Sequence, residues 1–155
     1  MSSVLDESYG AAMDAALALA RAAAADGDVP VGAVVLDESG TVIGKGRNRR
    51  EVDADPSAHA EILALRDAAA RRGSWRLDGC TLVVTLEPCL MCAGAVLQSR
   101  VPRIVLGAWD DKAGATGSRW DVVRDARVGA KVEVVSGVRA DECADLLRDF
   151  FETRR

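Results

Sequence analysis

The stretch Glu87-Pro88-Cys89-Leu90-Met91-Cys92 constrains this chain more than any other. It follows an apolar run, Cys80-Thr81-Leu82-Val83-Val84-Thr85, that reads as a strand. Pro88 can then open a helix at no cost, because the first helical N–H has no partner anyway. That helix is expected over about 89–98. Cys89 and Cys92 would stand three residues apart on one of its faces. They would also sit at its start, where the helix dipole favours thiolates. Two thiols so placed can reach one metal ion.

A third donor comes from upstream. His59 is the only histidine of the chain, and Glu61 stands two residues beyond it. Ser57 is a candidate N-cap for a helix over 58–72 that stops at Gly73, with Ile62, Leu65 and Ala69 as its buried stripe. His59 and Glu61 then fall in its first turn. Three N/S ligands with a fourth position open are the pattern of a catalytic zinc. Such a zinc lowers the pKa of bound water from about 16 to about 7. Positions i and i+2 of a helix do not face each other. Glu61 is therefore expected to move a proton rather than to join the ligand set. Two other readings compete. The Cys-x-x-Cys pair alone could be a redox couple. A closed structural zinc would need Cys80 or Cys143 as fourth ligand, and both read as core cysteines. Neither reading has a use for Glu61.

The remaining sequence supplies a frame. Tyr9, Met13, Leu17 and Ala20, with Leu5, recur at helical spacing over about 5–25, and Gly27 closes that helix. Residues 31–36 and 41–46 read as two strands of a hairpin around Asp37-Glu38-Ser39-Gly40. The helix at 89–98 is apolar almost all round, which places it in the core or at a subunit interface. A fourth strand at 103–107 leads into a Gly-rich loop at 108–119. A short helical turn within 119–127 and a fifth, edge strand at 131–135 follow. The last helix aligns Cys143, Leu146, Leu147, Phe150 and Phe151 on one apolar face. Alternating strands and helices point to an α/β fold with a mixed sheet covered on both faces.

At 155 residues, 49% hydrophobic and 28% charged, the chain suits one globular domain over 1–155. No apolar run approaches the roughly 20 residues of a membrane helix. The N-terminus lacks the basic and apolar regions of a signal peptide, so a cytoplasmic location is expected. Four cysteines in such a chain read as thiols or metal ligands. A net charge of −4 and a pI near 5.0 argue against a general nucleic-acid binder but not against a local basic patch.

The combination His-x-Glu with Pro-Cys-x-x-Cys resembles the established zinc-deaminase signature. The likeness extends further. Asp28-Val29-Pro30-Val31-Gly32-Ala33-Val34, Asn48, Ala58–Ile62, Thr85–Cys89, Met91–Ala95, Ser99-Arg100, Gly107-Ala108, Asp110, Lys112–Ala115, Gly117-Ser118, Asp141–Phe151 and Arg154-Arg155 are similar to the bacterial tRNA-specific adenosine deaminases. Arg50, Glu51 and Ser57 depart from that pattern. The resemblance implies a three-layer α/β/α sandwich around a five-stranded mixed sheet, as in cytidine deaminases. It implies one Zn2+ per subunit on His59, Cys89 and Cys92, with Glu61 as the catalytic proton shuttle. Asn48 would hydrogen-bond the flipped-out nucleotide, and Asp110 would contact the RNA near a ribose hydroxyl. The implied reaction is hydrolysis of the wobble adenosine (position 34) of a tRNA(Arg) anticodon to inosine, with loss of ammonia. The implied partners are the tRNA anticodon loop and a second copy of the chain in a homodimer, with no membrane. Arg47, Arg49, Arg50, Lys112, Arg119 and the C-terminal arginines are expected to form a basic rim. The alternative within the same chemistry is a small-molecule deaminase acting on guanine, cytosine or a nucleoside.

Overall fold

In the computed structural model, residues 4–129 and 131–154 are described; the side chain of Leu5 and all of Arg155, both named above, lie outside them. The order is α1 (Val4–Ala25), β1 (Gly32–Leu36), β2 (Val42–Arg47), α2 (Ala60–Arg72), β3 (Thr81–Leu86), α3 (Leu90–Ser99), β4 (Arg103–Ala108), a 3-10 turn (Ala126–Val128), β5 (Glu133–Val135) and α4 (Ala140–Glu152). The strands form one sheet in the order β2-β1-β3-β4-β5. β1 runs antiparallel to β2 and β3, and β3, β4 and β5 run parallel. This is the expected mixed α/β sandwich.

Side chains alternate across the sheet because successive Cβ atoms of a strand point to opposite faces. Val34, Val83 and Val105 meet α1 and α4 through Met13, Leu17 and Cys143. Ala33, Val35, Leu82, Val84, Ile104 and Leu106 meet α2 and α3 through Ala64, Leu65, Ala93 and Val96. β1 is buried along its whole length, as its unbroken apolar run requires.

Glycines set how closely the helices approach. A Cβ built on Gly46 would lie 2.2 Å from the carbonyl oxygen of Ala60, and one on Gly44 would lie 2.4 Å from that of Ala64. The buried line of α2 therefore consists of Ala60, Glu61, Ala64, Leu65 and Ala68. Of the expected stripe Leu65 is buried, whereas Ile62 and Ala69 are only partly so; the alanines Ala60, Ala64 and Ala68 face the glycines of β2 instead. Gly27 and Gly73 end their helices with positive φ of 88° and 71°, as the sequence suggests.

Two helix starts differ from expectation. α2 begins at Ala60 with His59 as N-cap. Ser57 does not cap it: its N–H and hydroxyl both donate to Asp55 Oδ1, at 2.9 and 2.8 Å. That local turn satisfies the serine before the helix starts. α3 begins at Leu90 with Cys89 as N-cap, so Pro88 lies just outside it. The apolar face of α4 is only partly covered: Cys143 is buried, whereas Phe151 is 53% exposed.

Candidate active site

α2 and α3 begin at the same end of the sheet. Their N-cap residues, His59 and Cys89, both have extended backbone and neither uses its side chain as a cap. Imidazole and thiol are therefore left to face each other. His59 Nδ1 lies 3.6 Å from Cys89 Sγ and 3.5 Å from Cys92 Sγ. The three donor atoms fall within 4.8 Å of one another. A tetrahedral zinc, with Zn–N near 2.0 Å and Zn–S near 2.3 Å, holds its N and S donors about 3.6 Å apart. The trio thus fits zinc in donor type, number and spacing. Cys80 and Cys143 are free, buried thiols elsewhere in the fold, so they add no fourth ligand.

The electrostatics of the metal-free trio are lopsided. The hydrogen bond from Cys92 holds the Cys89 thiol down at about 4. Cys92 is pushed up, first by that same bond and then by burial. His59 is raised by its hydrogen bond to the Cys89 thiolate. One sulfur is thus ionised and the other keeps its proton, as expected of two like charges in contact.

Glu61 is 4% exposed and forms a wall of the same pocket as His59 and Cys89. Burial pushes its carboxyl up to about 7. A carboxyl poised there takes up and gives back a proton near neutrality. The pocket, about 150 Å³ in volume, is also lined by Asn48, Arg50, Asp110 and Ala113. All six residues singled out in the sequence therefore converge on one place, five on the pocket wall and Cys92 behind it.

Asn48 is 7% exposed and braced by backbone. Its Nδ2 donates to Val29 O at 3.2 Å, and its Oδ1 accepts from Arg50 N–H at 3.1 Å. Asp110 Oδ1 accepts from the N–H groups of Lys112 and Ala113 at 3.1 and 3.3 Å, which shapes the loop after β4.

The expected basic rim is thinner than the count of arginines suggests. Arg47 pairs with Asp26 at 3.1 Å, Arg49 with Asp53 at 3.0 Å and Arg148 with Asp145 at 2.8 Å. Arg119 and Arg154 lie over the rings of Trp120 and Phe150. Arg50 lines the pocket wall and pairs with Glu51 at 3.7 Å, and Lys112 lines the adjoining groove.

Two buried carboxylates escaped the sequence reading. Asp28 accepts from Glu51 and Val52 N–H groups, at 2.9 and 3.1 Å, and so anchors the loop after Asn48. Glu87 does the same for the loop after β4. Both lie inside quoted motifs, but nothing in the sequence signals which backbone amides a carboxylate will collect.

Residues 6–108 match the model of the cytidine and deoxycytidylate deaminase zinc-binding region. The chain is 51% identical to a tRNA-specific adenosine deaminase of Haemophilus influenzae over 140 residues, covering 90% of this chain and 81% of that protein. It is 53% identical over 146 residues to a tRNA(Ile)-lysidine synthase of Deinococcus radiodurans, but spans only 25% of that protein's length. A solved structure from a study of A-to-I editing by tRNA:A34 deaminases at the wobble position superimposes with a TM-score of 0.85 at 39% identity, covering 89% of this chain and 99% of that one. With its zinc-spaced trio and its buried Glu61 in one pocket, the chain belongs to the cytidine and deoxycytidylate deaminase family and, within it, to the tRNA-specific adenosine deaminases.

Proposed function

We propose that this chain converts the wobble adenosine, position 34, of a tRNA(Arg) anticodon to inosine, releasing ammonia. The observation that carries this reading is the meeting of three zinc donors and a buried, non-ligand carboxyl in one small pocket. His59, Cys89 and Cys92 would hold the metal. When bound, zinc makes a water molecule acidic enough to react near neutral pH. Glu61 takes the proton of the attacking water and passes it to the departing amine, so the carboxyl ends as it began. Glu61 is 4% exposed, so its carboxyl meets solvent only through the pocket.

Asn48 and Asp110 orient the nucleotide. The backbone bonds of Asn48 fix its amide and leave one N–H and one oxygen lone pair for the base. The turn closed by Asp110 Oδ1 leaves Oδ2 for a ribose hydroxyl. An anticodon loop suits such a pocket because its bases are already unpaired and can be splayed out. Beside the pocket runs a groove of about 440 Å³ that shares Val29, Leu86 and Asp110 with it and is walled by Trp109, Leu147 and Phe151. Aromatic walls of this kind stack unpaired bases.

We read 1–155 as one deaminase domain that acts as a homodimer in the cytoplasm. Leu90 and Met91 of α3 and nearby Trp75 are 53%, 39% and 62% exposed, an apolar face that a second copy would cover. No helix among the described residues is long and apolar enough to cross a membrane. The test is an inosine assay on a tRNA(Arg) anticodon stem-loop alongside free adenosine, guanine and cytosine. Conversion of the stem-loop alone is expected. Conversion of a free base or nucleoside but not the RNA would overturn the reading.

A further inference from the structure

Glu87 takes no part in the ligand set or in proton transfer, yet it lines the pocket and is 2% exposed. A carboxylate so buried must be satisfied by hydrogen bonds. All its partners come from a single loop. The Asp110 N–H donates to Oε1 at 2.9 Å, and the N–H groups of Thr116 and Ser118 donate to Oε2 at 3.0 and 3.1 Å. The Thr116 hydroxyl adds a bond of 3.4 Å. The Ser118 hydroxyl lies between the Glu87 carboxylate and the Asp110 carbonyl oxygen. Backbone bonds join the same two segments: Glu87 N–H to Ala108 O at 2.9 Å, and Ala115 N–H to Pro88 O at 2.8 Å. The loop is moulded closely on the carboxylate. A Cβ on Gly114 would lie 2.1 Å from Glu87 Oε1 and 2.6 Å from Asp110 O.

We infer that Glu87 is a positioning residue: its buried carboxylate fixes the 108–118 loop against the pocket and so sets where Asp110 and Ala113 meet the substrate. The inference rests on the reading of this pocket as the adenosine site. Three backbone N–H groups aim at one acceptor, and none has another partner ready if that acceptor is lost. Each hydrogen bond to a charged group is strong enough that its loss changes an equilibrium roughly tenfold or more. Because Glu87 acts on the nucleotide through the loop, its loss weakens productive binding more than it slows the proton transfers at Glu61.

The test compares Glu87→Gln and Ser118→Ala with the unaltered protein. Glutamine keeps the shape but turns an N–H₂ group toward backbone N–H donors. Glu87→Gln is expected to keep full zinc content and to speed deuterium exchange of the 110, 116 and 118 amides about tenfold or more. It is also expected to raise KM for the stem-loop about tenfold with kcat within about threefold. Ser118→Ala, which removes one donor from the same carboxylate, is expected to move exchange and KM the same way by about tenfold; it alone decides the matter if the glutamine variant does not fold. Glu87→Asp, which keeps the charge, is expected to fall between Glu87→Gln and the unaltered protein. Unchanged amide exchange overturns the inference. So does faster exchange with unchanged KM, or a fall in kcat or zinc content alone. Exchange needs no substrate, so it judges the clamp even if the unaltered protein fails to deaminate the stem-loop.

Discussion

Cys92 Sγ lies 3.5 Å from His59 Nδ1, although the two belong to different helices. Neither residue alone marks a metal site; the distance between them does. Cys92→Ser or His59→Ala is therefore expected to lose zinc, with metal content below about one-tenth of stoichiometric. Elemental analysis of purified variants checks this. A full complement of zinc in either would refute the ligand set.

The same trio predicts a pH dependence. Cys89, held at about 4, is ionised at neutral pH, whereas Cys92 keeps its proton. Both sulfurs must be thiolates to bind zinc. Metal uptake at pH 8 should then release at least one proton per zinc, from Cys92 and from the fraction of His59 still protonated, and affinity should fall about tenfold for each pH unit lost per proton displaced. Calorimetry in buffers of different ionisation enthalpy counts the protons. Uptake with no proton release would show that both sulfurs were already ionised.

Glu61 is buried and outside the ligand set. Glu61→Ala is expected to retain zinc and to lose activity by a factor of about 100 to 10,000, the range of a positioned proton carrier. Single-turnover deamination of the stem-loop, beside a zinc determination on the same sample, decides it. An active Glu61→Ala enzyme would remove the shuttle from the mechanism.

Gly46 gives α2 its seat. Gly46→Ala puts a methyl group against Ala60 O, where only 2.2 Å is available. Overpacking of this kind costs about 1–3 kcal/mol, or about 3–10 °C in Tm for a chain of this size. Ala60 adjoins His59, so zinc affinity should fall with stability. Thermal unfolding with and without a chelator measures both.

The sequence conveyed most of the fold because its apolar runs and helical repeats are long and unambiguous. The zinc donors were legible for a different reason: their residue types admit few other uses in that spacing. Less legible were features that depend on neighbours distant in the chain. Ser57 looks like a cap until its own turn with Asp55 claims it. Ile62 and Ala69 look like the buried face of α2 until the glycines of β2 select the alanines instead. Arg47 and Arg49 look like part of a phosphate-binding rim until Asp26 and Asp53 neutralise them. Glu87 has no role assigned by the sequence, and only the returning loop discloses its partners.

His59 and Cys89 cap helices that the sheet must bring together, and this has a consequence for how the protein matures. In the unfolded chain nothing holds His59 near Cys89 and Cys92, 30 and 33 residues further along; the folded sheet does. Zinc therefore binds the finished structure better than any precursor, and stabilises it by about 2.7 kcal/mol when present at a hundredfold excess over its dissociation constant. An ion on His59, Cys89 and Cys92 would tie the start of α2 to the start of α3.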